Sequence, residues 1–229
     1  MTSVEHIPGS PRAVDRSRQS AELPSSLYVS HIDQLSDRHY EWLTARYEFM
    51  KKKNWITGEH DDIDAYDVDP ATLQLGAYSP GGGLVMGMRL TPVENYRTSL
   101  SWAMVDMTPL GHQVAMNDDA FSGRQVWDLT RLVPGDAAGI RTTFEAVPRL
   151  FGEALRECQR RGDNDPLWVF LLDPSMERWL QRQEVAVSVV GRETINGDQE
   201  ESVFAYIQPA AIAALQAHGF AHRAMGERE

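Results

Sequence analysis

The amino-acid sequence predicts an α/β or α+β fold, a mixed and mostly antiparallel sheet flanked by helices, and three observations lead there. Two β-rich runs, "LQLGAYS" and "LVMGMRLTP", are separated by a Pro-Gly-Gly-Gly turn, which predicts an antiparallel hairpin. The run "RTTFEAVPRLFGEALRECQRRG" is the clearest helix. In it Val147, Leu150, Phe151, Ala154, Leu155 and Cys158 recur at i, i+3, i+4, i+7, i+8 and i+11, one apolar stripe that ends in basic residues and Gly162. The wholly apolar strand "PLWVFLL" follows at once, and a strand–helix–strand segment inside a mixed sheet implies packed layers of helix and sheet.

The remaining elements fall in order along the chain. Residues 1–25 are rich in Ser, Pro and charge without periodicity and read as a mobile extension, leaving 26–229 as a single domain. "SLYVSHI" alternates and suits a first strand. Leu35, Tyr40, Leu43, Tyr47 and Met50 then recur at near-helical spacing over residues 33–55, as one helix or two short ones. An acidic loop, "GEHDDIDAYDVDP", precedes the hairpin. "NYRTSLSWAMVDM" fits no single period, and "QVWDLTRLV" is a strand closed by Pro-Gly. After the apolar strand come a short helix, "SMERWLQRQ", two strands, "VAVSVVG" and "ESVFAYIQ", and a closing helix, "PAAIAALQAHGF", with Pro near its start.

At 229 residues and 42% hydrophobic, the chain can bury a sizeable core. A formal charge of −11 argues against a general nucleic-acid binder, which needs a basic face. One cysteine, Cys158, excludes an intrachain disulfide and a multi-cysteine metal site, and the seven histidines show no ligand spacing. No apolar run has the length of a membrane span, and the N-terminus lacks an apolar signal core. The expectation is a cytoplasmic protein without metal or cofactor.

Several charges sit where a core element should not place them. In "VWDLTRLVPGD", Asp128 and Arg131 lie three apart on a strand, so they point to opposite faces unless a bulge or strand end intervenes. Arg46 lies on the first long helix, Asp64 and Asp67 lie three apart in "DAYD", and Arg89 ends an apolar run. Each has an ordinary reading: a solvated helix residue, turn-capping acids, a strand-end charge. Trp55 and Trp102 are ordinarily core residues.

Taken together and in this order, these features resemble the acyl-homoserine lactone synthases, the LuxI-type autoinducer synthases, which use the fold of the GNAT N-acyltransferases. The residues that carry the resemblance are "RYEFMKKKNW", "DAYD", "RLTP" at Arg89 to Pro92, "WDLTR", and "ERWLQR" from Glu177 to Arg182. They run in register from about residue 26 to residue 208. The chain differs from the family pattern in carrying Asp128 where Glu is usual and Thr130 where Ser is usual. It also has Met50 at the usual Phe position, with Phe49 keeping the distance to Trp55. Trp102 stands near the place of a second Phe, and "FLLDPSMER" replaces a Thr/Ser-rich stretch.

The resemblance implies transfer of an acyl group from acyl carrier protein, or acyl-CoA, to the α-amine of S-adenosylmethionine. Lactonisation and release of methylthioadenosine would follow, for quorum-sensing signal production. It implies that Arg46, Phe49, Trp55 and Trp102 line the S-adenosylmethionine side, where aromatic faces suit a sulfonium cation. Asp64, Asp67, Arg89, Asp128 and Arg131 would form a charge cluster fixing the N-terminal lobe to the sheet, with Asp128 positioning the amine or its water. An oxyanion site made of backbone N–H groups at a splayed strand implies an irregularity in the strand bearing Asp128 and Arg131. Met104, Leu150, Phe151, Leu171 and Leu172 would line an apolar acyl pocket. Arg178 and Arg182, with Lys51, Lys52 and Lys53, would meet an acidic carrier. Two other readings share the fold: a GNAT-type acyltransferase using acyl-CoA and a different amine, and a non-catalytic binding domain.

Overall fold

The computed structural model describes residues 27–52, 64–135, 140–182, 185–194 and 201–208. The expected N-terminal extension and closing helix, with Trp55 and Lys53, lie outside the described residues. Seven strands form one sheet in the order β1-β2-β3-β4-β5-β7-β6: β1 is Tyr28–His31, β2 Leu73–Tyr78, β3 Leu84–Val93, β4 Val126–Pro134, β5 Leu167–Leu172, β6 Val187–Thr194 and β7 Glu201–Ile207. All neighbours are antiparallel except β4 and β5, which α4 (Ile140–Arg160) connects. The mixed, mostly antiparallel sheet is therefore the one expected. No helix among the described residues is long and apolar enough to cross a membrane.

Two faces of the sheet carry different chemistry. On one, Leu73, Leu75, Met88, Leu90, Trp127 and Leu129 alternate along β2, β3 and β4 and pack against α4. The predicted stripe is all buried there: Val147, Leu150, Ala154 and Cys158 are fully covered, and Phe151 and Leu155 nearly so. Pro148 lies inside α4 without breaking it. The helix stops where expected, at Gly162 with φ +90°, while the Asp163 amide reaches back to the Cys158 carbonyl at 3.0 Å.

The other face is polar along the same three strands, presenting Gln74, Arg89, Thr91, Asp128 and Thr130. Two covers lie over it. One is α1 (Asp37–Lys52), whose first turn is capped by Ser36 accepting from the His39 amide at 3.2 Å. Leu35 precedes the helix at φ +61° and is 62% exposed, and Tyr40 is half exposed, so neither belongs to the apolar face that the spacing predicts. The buried face is instead His39, Trp42, Leu43, Ala45, Arg46 and Met50. Its register is set by Trp42, whose ring fills the place of the side chain that Gly87 lacks.

The second cover is the excursion between β3 and β4, which no periodicity announces. It carries α2 (Leu100–Ala103) and α3 (Pro109–Ala115). Tyr96, Val105, Leu110, Val114 and Phe121 from this excursion form a second core with Val126, Val169 and Phe204 of the sheet. The start of α3 is legible in retrospect, because Thr108 caps the helix and Pro109 takes its first position.

A Cβ at position 87 would come within 2.0 Å of the Trp42 ring. Gly87→Ala is therefore expected to destabilise the protein by about 1–3 kcal/mol in urea unfolding, the usual range for overpacking. In Gly87→Ala/Trp42→Leu, part of that loss is recovered. Additive effects of the two changes would contradict the contact.

Candidate functional site

The site begins with a two-acid turn. Asp67 bonds back to the start of its own turn, its Oδ2 accepting from the Asp64 amide at 2.9 Å, while the Asp64 carboxylate accepts from the Tyr66 amide at 2.9 Å. Gln74 of β2 holds the turn to the sheet by donating to the Asp67 carbonyl at 2.8 Å. Onto this turn α1 delivers Arg46, which binds Asp67 at two points, Nη1 to Oδ1 at 2.8 Å and Nη2 to Oδ2 at 2.9 Å. From β3, Arg89 Nη1 reaches Asp64 Oδ1 at 2.6 Å and Asp67 Oδ1 at 2.8 Å, and its Nε donates to Thr130 Oγ1 of β4 at 3.0 Å. Asp67 and Arg89 are fully buried and Arg46 nearly so.

Arg131 completes the group. Two residues of β4, Arg131 and Leu132, stand opposite Met88 alone, because Gly87 pairs with Val133 and Arg89 with Thr130. This bulge is the irregularity expected of the strand. Arg131 takes φ +59°, a left-handed conformation that costs a non-glycine residue about 1–2 kcal/mol. Its guanidinium lies 3.7 Å from Asp64 Oδ2 and donates to the Met50 sulfur at 3.5 Å. Its side chain is 23% exposed, the outermost of the three guanidiniums, and its Nε has no hydrogen-bond partner.

Titration follows from these contacts. Burial pushes Asp64 up, but the Arg89 hydrogen bond and the charges of Arg89, Arg46 and Arg131 outweigh it and hold the carboxyl below its usual range. Burial pulls Arg131 down, helped by the positive charges of Arg89 and Arg46 against the opposing pull of Asp64 and Asp67. Arg131 is thus the most exposed of the three guanidiniums, with the longest ion-pair contact.

Asp128 lies on the same polar face but outside these ion pairs, and here the structure departs from the expected cluster. Its Oδ2 accepts from the Leu100 amide at 2.6 Å and the Ser101 amide at 3.3 Å, and its Oδ1 from the Ser101 hydroxyl at 2.5 Å. The carboxylate therefore holds the start of α2, the other cover, and not the N-terminal lobe. Burial pushes its pKa up against the opposing pull of these hydrogen bonds and of Arg89. Asp128 pairs with Val169 at the last rung between β4 and β5; beyond that rung the two strands part.

The other expected site residues divide. Arg46 belongs to the ion-pair group, because Asp67 takes both its terminal nitrogens, and so it does not stand as a separate wall. Phe49 is half-buried at the end of α1, beside Met50. Trp102 is half-buried on α2, its ring edge-on to Tyr96 at 5.3 Å. The five acyl-pocket residues do not share one wall. Leu150, Phe151 and Leu172 lie on the α4 face, Leu171 lies on the opposite one, and Met104 is 44% exposed. Arg178 and Arg182 are both exposed on α5 (Pro174–Arg182), while Glu177 turns inward to accept from Arg192 and Gln181. Lys51 and Lys52 are exposed at the end of α1. Sequence reasoning missed Gln74 and Ser101; a lone Gln in the apolar strand "LQLGAY" was the available signal for the first.

No protein-family model matches the chain, and no curated protein matches it in sequence. Solved structures do match in fold. TofI, solved in a ternary complex with an inhibitor and MTA, superposes with a TM-score of 0.55 at 20% identity over 84% of this chain and 98% of its own. BjaI, a CoA-dependent acyl-homoserine lactone synthase solved with MTA, gives 0.56 at 14% identity over 85% and 90%. FeeM, an N-acyl amino acid synthase, gives 0.53 at 7% identity over 79% and 89%. The chain thus has the fold that acyl-homoserine lactone synthases share with an N-acyl amino acid synthase.

Proposed function

We propose that the protein is an acyl-homoserine lactone synthase. It transfers an acyl group from a thioester donor, acyl carrier protein or acyl-CoA, to the α-amine of S-adenosylmethionine. The observation that carries this reading is the largely buried group of Arg46, Asp67, Arg89, Asp64 and Arg131 on the polar face of β3 and β4, three guanidiniums to two carboxylates with Arg131 the outermost guanidinium. A guanidinium there suits the carboxylate of an amino-acid-like substrate. Phe49 and Trp102, on the two covers, supply aromatic faces of the kind a sulfonium cation binds.

The reaction proceeds in two steps. The amine nitrogen attacks the thioester carbonyl carbon, the carbon–sulfur bond breaks, and a proton from the amine passes through water to the departing thiolate. A carboxylate oxygen of the acylated product then displaces the sulfonium sulfur from the γ-carbon. A carbon–oxygen bond closes the lactone, the electron pair of the broken bond goes to sulfur, and neutral methylthioadenosine departs. Backbone N–H groups at the parted strands suit the developing oxyanion of the first step. Arg178 and Arg182, four apart and exposed on α5, give a protein of charge −11 a basic face for an acidic carrier.

Incubation with S-adenosylmethionine and a panel of acyl thioesters is expected to release methylthioadenosine together with an acyl lactone, both read by mass spectrometry. Acyl transfer to another amine with no methylthioadenosine from any thioester would make the protein an N-acyltransferase of a different kind. Arg131→Ala is expected to lower kcat/KM by about 30-fold or more, the scale of losing a charge-assisted contact to substrate. Arg178→Ala should instead raise KM for acyl carrier protein by about three- to tenfold, an effect that shrinks as salt is raised. Equal, mild effects of the two would return Arg131 to an ordinary surface role.

A further inference from the structure

We infer that Asp128 and Ser101 form a tether that holds α2, and with it Trp102, over the β4–β5 fork, making Asp128 a positioning residue and not the base that takes the amine proton. Three hydrogen bonds occupy the Asp128 carboxylate, two on Oδ2 and one on Oδ1, and all three come from Leu100 and Ser101. The side chain is 2% exposed. A general base needs an oxygen within reach of the proton it abstracts, and here both oxygens point at the cover.

The tethered segment is built to pass this constraint on to Trp102. Ser99 accepts from the Trp102 amide at 2.9 Å and donates to the Tyr96 carbonyl at 2.6 Å, so Trp102 is fixed from its other side too. Its indole meets Tyr96 edge-on, and Tyr96 packs in turn on Phe121 with ring centres 4.3 Å apart. The second core therefore anchors the excursion at one end, and Asp128 anchors it at the fork. Asp128 is also the last β4 residue paired with β5, so the tether binds the cover at the point where the strands open.

The role of the wall in catalysis rests on the S-adenosylmethionine reading above; the tether itself does not. Three variants separate a tether from a base. Ser101→Ala removes one tether bond and leaves the carboxylate. Asp128→Asn keeps acceptors for the two amides and a donor for the hydroxyl but removes any base. Asp128→Ala removes both.

For Ser101→Ala the expected result is about tenfold faster amide hydrogen exchange in residues 100–103, the fold-change of one hydrogen bond to a charged group. A several-fold rise in KM for S-adenosylmethionine at nearly constant kcat should accompany it. Asp128→Asn is expected to keep at least about a tenth of wild-type kcat/KM, with Asp128→Ala well below it, whereas loss of a general base costs about 10²–10⁴-fold. The inference is overturned if Ser101→Ala matches wild type in both exchange and KM. It is equally overturned if Asp128→Asn is as inactive as Asp128→Ala and loses the acidic limb of the pH–rate profile. Should Asp128→Ala not fold, the other two variants still decide. Failure of the wild-type protein to use S-adenosylmethionine would defeat the functional reading alone, and the exchange comparison, which needs no substrate, would then judge the tether.

Discussion

A single buried carboxylate, Asp67, ties together the parts of the molecule that bear on function. Its Oδ1 accepts from Arg46 and Arg89, and its Oδ2 from Arg46 and the Asp64 amide. A carboxylate has about four lone-pair sites, and all are used. Desolvating such a charge is repaid only when its geometry is this complete. The same four bonds join α1, the 64–67 turn and β3, three pieces distant in sequence. Losing one arginine would leave the acid under-compensated, and losing the acid would leave two arginines facing each other. The bidentate Arg46 contact also fixes the rotation of α1, so the turn that follows brings Met50 against Arg131.

How much of this was legible in the sequence depends on which residues carried the signal. The α4 stripe from Val147 to Cys158 is periodic because a whole helix face meets the sheet, and it buries as read. The hairpin of β2 and β3 follows from its glycine-rich turn. The spacing over residues 33–55 placed the right helix and, in Leu43 and Met50, part of its buried face. It misassigned Leu35 and Tyr40 and missed Trp42, because Leu35 ends a loop in a left-handed conformation and Trp42 is admitted by a glycine 45 positions away. No local pattern encodes a ring that fits where a distant residue lacks a Cβ. The excursion that carries α2 and α3 was opaque for a related reason. Its helices are four and seven residues long, too short for a period to show.

The candidate site shows the same division. The resemblance implied a cluster of Asp64, Asp67, Arg89, Asp128 and Arg131, and four of these five do lie together, with Arg46 beside them in place of Asp128. Their partition was not legible. Arg46 was assigned to a substrate wall and Asp128 to the ion-pair group, yet Asp67 claims Arg46 and Ser101 claims Asp128. Both reassignments turn on which opposite partner a buried charge finds, and that depends on segments brought alongside by the fold.

The charged pair in "VWDLTRLV" finds its explanation in this arrangement. On an unbroken strand Asp128 and Arg131 would point to opposite faces, but the bulge at Arg131 and Leu132 turns Arg131 to the polar side. That face has two covers, and each is tied down by a buried carboxylate: α1 through Asp67, which also binds Arg89 and the Asp64 amide, and the excursion through Asp128. Between them runs the stretch of β4 from Asp128 to Arg131, where β5 has parted from it. Stored strain at Arg131 is consistent with a site whose shape the surrounding ion pairs hold against the backbone's own preference.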